Sequence, residues 1–271
     1  MKFKKIATLI LAVGILGGCV ATPIAPPGFS PKAKVHKSIE GGITDSKRVL
    51  LLEPSVVIRE LGVGTQEVVP EWTEEAKTMI SSELSKNLTG LGKIDLLTEV
   101  SLSDAEKKIV DEHVALFDVL ANTTMLYHPL PNWKAKFSDP DDTLGEGLKF
   151  LKEKAGIDLV VFASGEDYQA SAGRKGAMVA GAILGAFTGI AVMPTAGIAN
   201  LNLGVVDTNT GNLLWEKSYI GKSKDLNDEK DVSKLVACMF DTIPTAAKLE
   251  DKKDKKRRNS DKHKRSSSGR C

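Results

Sequence analysis

Apolar positions recur along this chain in two rhythms that take turns. Unbroken or alternating apolar runs belong to strands, and apolar positions every third or fourth residue belong to helices. "RVLLLEPSVVI", Arg48 to Ile58, is an apolar run interrupted by Pro54, so it predicts a buried strand that ends or bends at the proline. A helix follows from Pro70, with Trp72, Ala76, Met79, Ile80, Leu84 and Leu88 on one side and Gly90 and Gly92 at its end. "KIDLLTEV" is the next strand. Ser103 and Glu106 have the spacing of a capping box, ahead of a helix carrying Ile109, His113, Leu116, Phe117 and Leu120.

Asn122 to Asp142, with three prolines, reads as irregular. Thr143 and Glu146 suggest a second capping box, before a helix with Leu144, Leu148, Leu151 and Ala155 on one face. "GIDLVVFASGEDY" is a strand, and "ANLNLGVVDTNTGNLLWEKSY" is a hairpin turning at "DTNTG". The last helix has the clearest stripe: Val232, Leu235, Val236, Met239, Phe240 and Ile243. Strands and helices alternate first and an antiparallel hairpin follows, which predicts an α/β fold: a mixed-sheet sandwich with helices packed on the sheet. The single domain is expected over 47–247. Residues 19–46, rich in Pro, Gly, Ser and Thr, form a tether ahead of it, and a basic tail, 248–271, follows that cannot bury a core.

The first eighteen residues read differently. "MKFKK" is a cationic start, and "IATLILAVGILGG" is an apolar stretch too short for a comfortable membrane span. "LGGC", Leu16 to Cys19, resembles a bacterial lipobox. That resemblance implies a lipoprotein signal peptide over 1–18, cleavage before Cys19, lipidation of its sulfur and acylation, for instance by palmitate, of its new amino group. The alternatives are an ordinary signal peptide with an incidental Cys, or an uncleaved anchor. Several acyl chains, at about 0.8 kcal/mol per buried methylene, give stable membrane attachment. Val20, where Asp would favour the inner membrane in Gram-negative sorting, points to the outer membrane, with the domain on the periplasmic side.

From Gly156 onward the order of elements resembles the core of the CsgG-like lipoproteins, and the amino-terminal domain of TolB is similar. The resemblance rests on "AGIDLVVFASGED", an excursion, "ANLNLGVVDTNTGNLLWEKS" and a closing helix, with Val206, Asp207, Thr210 and Gly211 matching a "V-D-x-x-T-G" pattern. It extends, with less specific residues, over roughly 47–246. It implies a non-enzymatic envelope assembly or secretion accessory acting through protein contacts.

Between those two strands lies "AMVAGAILGAFTGIAVM", Ala177 to Met193, within an insertion over 176–197. Gly181, Gly185 and Gly189 stand four residues apart, a glycine-zipper spacing that lets helices approach closely. In the curli channel a membrane-spanning β-hairpin leaves the core at this place. The present run lacks the period-two alternation such strands need, which argues against a pore of that kind. Three readings stay open: a connection packed on its own sheet, a surface for self-association or membrane contact, and a spanning helix at the lower limit of length. The alternative function is therefore a self-associating membrane component built through 176–197.

Charge and rare residues narrow the chemistry. The net charge of +2 conceals a tail with eleven basic and four acidic residues and an acidic body, so nucleic-acid binding by the domain is not expected. The tail itself reads as solvated chain, as a contact for anionic envelope material, or as a sequence artefact ending in Cys271. Cys238 lies on an apolar stripe and reads as a small core residue, and with Cys271 it makes neither a disulfide framework nor a metal spacing. His36, His113, His128 and His263 are scattered, and His113 reads as a core histidine. "GVG" at Gly62 to Gly64 is a turn, Glu74 and Glu75 a solvated first helical turn, and Asp139, Asp141 and Asp142 a polar loop. No nucleophile–base set, cofactor fingerprint or metal-ligand spacing can be named, so no catalytic, cofactor-binding or metal residue is expected. The expected partners are the membrane, through Cys19, other envelope proteins, and a second copy of the chain.

Overall fold

In the computed structural model, residues 30–40, 42, 47–91, 94–127, 140–188, 197–222 and 224–245 are described, with only the backbone for 181–188. The leader, Cys19, His128, Asp139, Gly189, His263, Cys271 and the basic tail lie outside the described residues.

The strands are β1 (Lys34–Val35), β2 (Lys47–Leu51), β3 (Ser55–Leu61), β4 (Gln66–Val68), β5 (Ile94–Leu97), β6 (Leu159–Ala170), β7 (Gly197–Asp207) and β8 (Leu213–Gly221). The helices are α1 (Pro70–Thr89), α2 (Asp104–Tyr127), α3 (Lys149–Ala155), α4 (Ala172–Thr188) and α5 (Glu229–Phe240). One mixed sheet runs β1-β8-β7-β6-β2-β5, with β3 also beside β6 and β4 beyond it. The β2, β3 and β5 pairings with their larger neighbours are parallel, and β6, β7, β8 and β1 are antiparallel in succession. This is the mixed-sheet α/β sandwich that the alternating rhythms predict.

Both faces of the sheet are covered, which explains why its central strands read as continuous apolar runs. On one face, α1 and α5 bury Ile80, Leu84, Val232, Val236 and Phe240 against Val161, Leu201, Leu203 and Trp215. On the other, α2, α3 and the turn before α3 bury Phe117, Leu151 and Leu148 against Leu50, Val160, Phe162 and Val206. Pro54 does bend the first apolar run. Leu51 pairs with Val161 and Ser55 with Ser164, so the β2–β3 segment spends one residue more than β6 over the same length, as in a bulge.

The hairpin turn accounts for its motif. Asp207 Oδ1 accepts from the Asn209 N–H at 3.0 Å, from the Thr210 N–H at 2.9 Å and from the Thr210 hydroxyl at 3.1 Å. Gly211 has φ +71°, and a Cβ there would lie 2.0 Å from the Gly145 carbonyl oxygen. Asp, Thr and Gly are thus turn-formers here, and their role is to close the β7–β8 hairpin.

Several local expectations are corrected. The segment expected as tether joins the sheet before residue 47: Lys34 and Val35 pair with β8, and Ile39 is buried in the core. The stretch expected to be irregular from Asn122 is helical as far as Tyr127, where α2 ends. Leu116 faces solvent, since the helix turns Val110, Phe117, Ala121 and Thr124 inward instead. The Ser103–Glu106 capping box forms, but Thr143 does not cap: its hydroxyl accepts from Gly145 N–H, and a single 3-10 turn, Glu146–Leu148, precedes α3. Cys238 is exposed, because the buried side of α5 passes through Val236, Met239 and Phe240.

Candidate functional site

β1 brings a buried group of charged side chains to the sheet. Lys34 is the register partner of Glu216, and both side chains are buried. Lys34 Nζ lies 3.0 Å from Glu216 Oε2 and donates to Asp142 Oδ2 at 2.7 Å and to Thr124 Oγ1 at 2.8 Å. Three segments far apart in sequence therefore meet at one ammonium group. Burial pushes the Glu216 carboxyl above the usual carboxylate range, against the pull of Lys34, and the Asp142 charge adds to the rise. Beside this group a polar row crosses the sheet: Ser164, Asn202 and Ser218 are successive register partners, all buried, and Asn202 Nδ2 donates to Asn122 Oδ1 at 3.2 Å.

The second polar site lies at the end of the sheet where β6 finishes and β7 starts. A cavity of about 140 Å³ opens there, lined by Asp167, Gln169, Lys175, Gly197, Lys222 and Asp225. Asp167 is 1% exposed. Its Oδ2 accepts from Gln169 Nε2 at 2.8 Å and from the Leu226 N–H at 2.9 Å. Burial raises its pKa to about 6, opposed by those two bonds and helped by the nearby Asp225 charge. The bond to Leu226 fastens the loop after β8 to the central strand, so the first duty of this carboxylate is positional.

The residues expected to carry function divide in three. Cys19 and Gly189 lie outside the described residues. Gly181 and Gly185 fall one helical turn apart within α4, on one side of a continuous helix. The described side chains of that helix, from Ala172 to Ala180, are mostly exposed, Val179 to 61%. Among the described residues no helix is long and apolar enough to cross a membrane, and no three His, Cys, Asp or Glu side chains are grouped to hold a metal. His113 is half-buried, with Nδ1 2.7 Å from the Ile109 carbonyl oxygen. Glu74 pairs with Lys77, and Asp142 belongs to the buried group around Lys34. Lys34, Glu216 and Asp167 escape the sequence reading. The one visible sign is a charged residue inside a strand that otherwise reads as core, as in "NLLWEKSY".

No family model and no curated protein matches the chain. Among solved structures it is similar to the PelC dodecamer from Paraburkholderia phytofirmans, at 8% identity over 80% of this chain and 98% of that one, with a TM-score of 0.38. It is also similar to lipoprotein GNA1162 from Neisseria meningitidis, at 12% identity over 73% of this chain and 97% of that one, with a TM-score of 0.29.

Proposed function

We propose that the chain is an outer-membrane lipoprotein, held through Cys19 with its domain in the periplasm, which works by binding other envelope components and not by catalysis. It is an assembly or secretion accessory of the kind that its CsgG-like element order implies. The observation that carries this reading is α4. A helix of small and apolar residues leaves the sheet between its two longest strands, and its described side chains are left mostly in solvent. Val179 is a large apolar side chain left 61% exposed there, and exposed apolar surface marks a place meant to be covered. The charged groups inside the domain are engaged with one another or with the backbone, as Lys34, Asp142 and Asp167 are, which suits a framework better than an acid–base pair.

A second reading, self-association, is favoured by Gly181 and Gly185 standing one turn apart on that helix. The anchor is tested by feeding labelled palmitate to cells. The native chain should take up label and sediment with outer-membrane density, and Cys19→Ser should do neither. Label entering the Cys19→Ser chain would defeat the proposal. Gly185→Leu then separates the two partners: loss of oligomer mass in mild detergent favours self-association, and unchanged mass favours other envelope proteins.

A further inference from the structure

We propose that one end of the sheet, carrying Val63, Leu126 and Val179, faces and touches a lipid surface. The argument starts with the direction in which the chain enters the domain. β1 is antiparallel to β8, so stepping back from Lys34 follows β8 toward Gly221. Two bonds hold that path: Ser30 Oγ donates to the Ser218 carbonyl at 2.8 Å, and Lys217 Nζ donates to the Pro31 carbonyl at 2.5 Å. Gly221 pairs with Ala199, near the start of β7, and β6 ends beside them at Ala170. Ser30 therefore sits beside Ser218, three residues short of Gly221, toward the end of the sheet from which α4 departs.

The same end collects exposed aliphatic side chains from three separate elements. Val63, 72% exposed, tips the turn after β3, and Arg174 of α4 donates to the Gly62 carbonyl beside it at 3.1 Å. Val179, 61% exposed, is on α4. α2 advances toward this end, with Phe117 over Gly204 and Asn122 against Asn202, which leaves Leu126, 73% exposed, one turn further on. Lys175 and Lys222, both exposed, stand at the cavity between them; Asp225 is there too and Lys224 is tied to Asp231, so the charge is mixed. The opposite end, at the 207–211 turn and α3, is polar and of mixed charge, with Asn209, Thr210, Glu146, Lys152 and Lys154 exposed.

Ten residues lie between Cys19 and Ser30. A chain of eleven Cα–Cα steps reaches at most about 40 Å. α4, with 17 residues, is about 25 Å long. Along β8, Gly221 is about 10 Å from Ser218, to which Ser30 bonds, and the 207–211 turn about 25 Å. With the chain tied to lipid at Cys19, the end bearing Val63, Leu126 and Val179 is thus the nearer one. The occupant we commit to is the lipid surface itself.

The inference takes only the attachment point from the proposed function, and the experiment supplies that point artificially. The mature chain with Cys238→Ser and Cys271→Ser is coupled through the Cys19 thiol to maleimide-headed lipid. The vesicles are phosphatidylethanolamine and phosphatidylglycerol. A fluorescent non-canonical amino acid is placed in turn at Val63, Leu126, Val179, Val119 and Glu146. Nitroxide-bearing lipid should quench the first three and spare Val119, 63% exposed on the flank of α2, and Glu146. Val179→Asp, a change at an exposed site, should reduce quenching at Val63. Equal quenching at all five positions, quenching at Val119 or Glu146 alone, or none anywhere would overturn the inference. Mass analysis of the Cys19 peptide from cells is read separately, so failure of the natural anchor is distinguished from failure of the docking surface.

Discussion

Lys34 stands directly across from Glu216 on the β1–β8 pair, and its ammonium, 3.0 Å from Glu216 Oε2, also reaches Asp142 and Thr124. A two-residue strand would contribute little by its two backbone pairings alone. The lysine makes it a fixed part of the sheet, because the cation that meets buried Glu216 and half-buried Asp142 arrives on β1.

Lys34→Met keeps the apolar stem and removes the charge. It leaves Asp142 and Glu216 without their partner, and breaking such a buried pair from one side costs about 3–5 kcal/mol. Unfolding in urea should show that loss. The double change Lys34→Met with Glu216→Gln should recover part of it, since a neutral amide replaces one stranded carboxyl. A Lys34→Met chain as stable as the native one would mean that β1 is a passive edge.

The second prediction concerns a place where a side chain is missing for a reason. Gly204 faces α2, and a Cβ there would lie 2.3 Å from Phe117 Cε2 and 2.8 Å from its Cζ. Phe117 has no room to retreat, because it is fully buried and stacks on Phe162 with ring centroids 5.3 Å apart. Gly204→Ala should therefore cost about 1–3 kcal/mol by overpacking. Combined with Phe117→Leu, the same change should cost less than it does alone, and a double-mutant cycle measures that coupling. Strict additivity would show that the contact is not the cause.

These contacts mark where sequence patterns stop being informative. The α5 stripe and the hairpin were legible because each is set by local periodicity or local hydrogen bonds: Val232 to Phe240 along one helix, Asp207 to Gly211 around one turn. β1 was not legible, because Lys34 and Val35 sit among prolines and become a strand only through pairing with β8, some 180 residues away. The inward side of α2 was misplaced by part of a turn for a related reason. Both Leu116 and Phe117 are apolar, and only Gly204 across the interface selects the phenylalanine. Cys238 looked like core by its neighbours, yet it falls just outside the buried arc of its helix. Neither the Lys34 group nor Asp167 has a motif, since each is assembled by register.

The last prediction follows from Asp167. Its carboxyl is raised to about 6 in the folded chain from an ordinary value of 3.8, chiefly by burial. Between about pH 4 and pH 6 the folded chain thus holds this proton more firmly than the unfolded chain does. Stability from this group is fully present below pH 4 and is lost as the pH rises through 6. The shift of about two units corresponds to roughly 3 kcal/mol at neutral pH, as an upper figure. Asp225, raised by burial and by Asp231, and Glu216 push in the same direction, so the slope of the native chain alone does not isolate Asp167. Asp167→Asn does. The amide oxygen can still accept from the Leu226 N–H, Gln169 can turn its own amide to match, and no charge remains to be desolvated. The variant and native chains should be nearly equal in stability at pH 4, and the variant should gain as the pH rises to 7.5, with most of the gain between pH 4.5 and 6.5. Urea titrations across that range measure the difference directly. A difference that stays constant with pH would mean that Asp167 is charged throughout, held open to water by the cavity beside it, and that the loop after β8 is fastened by an ion and not by a neutral acid.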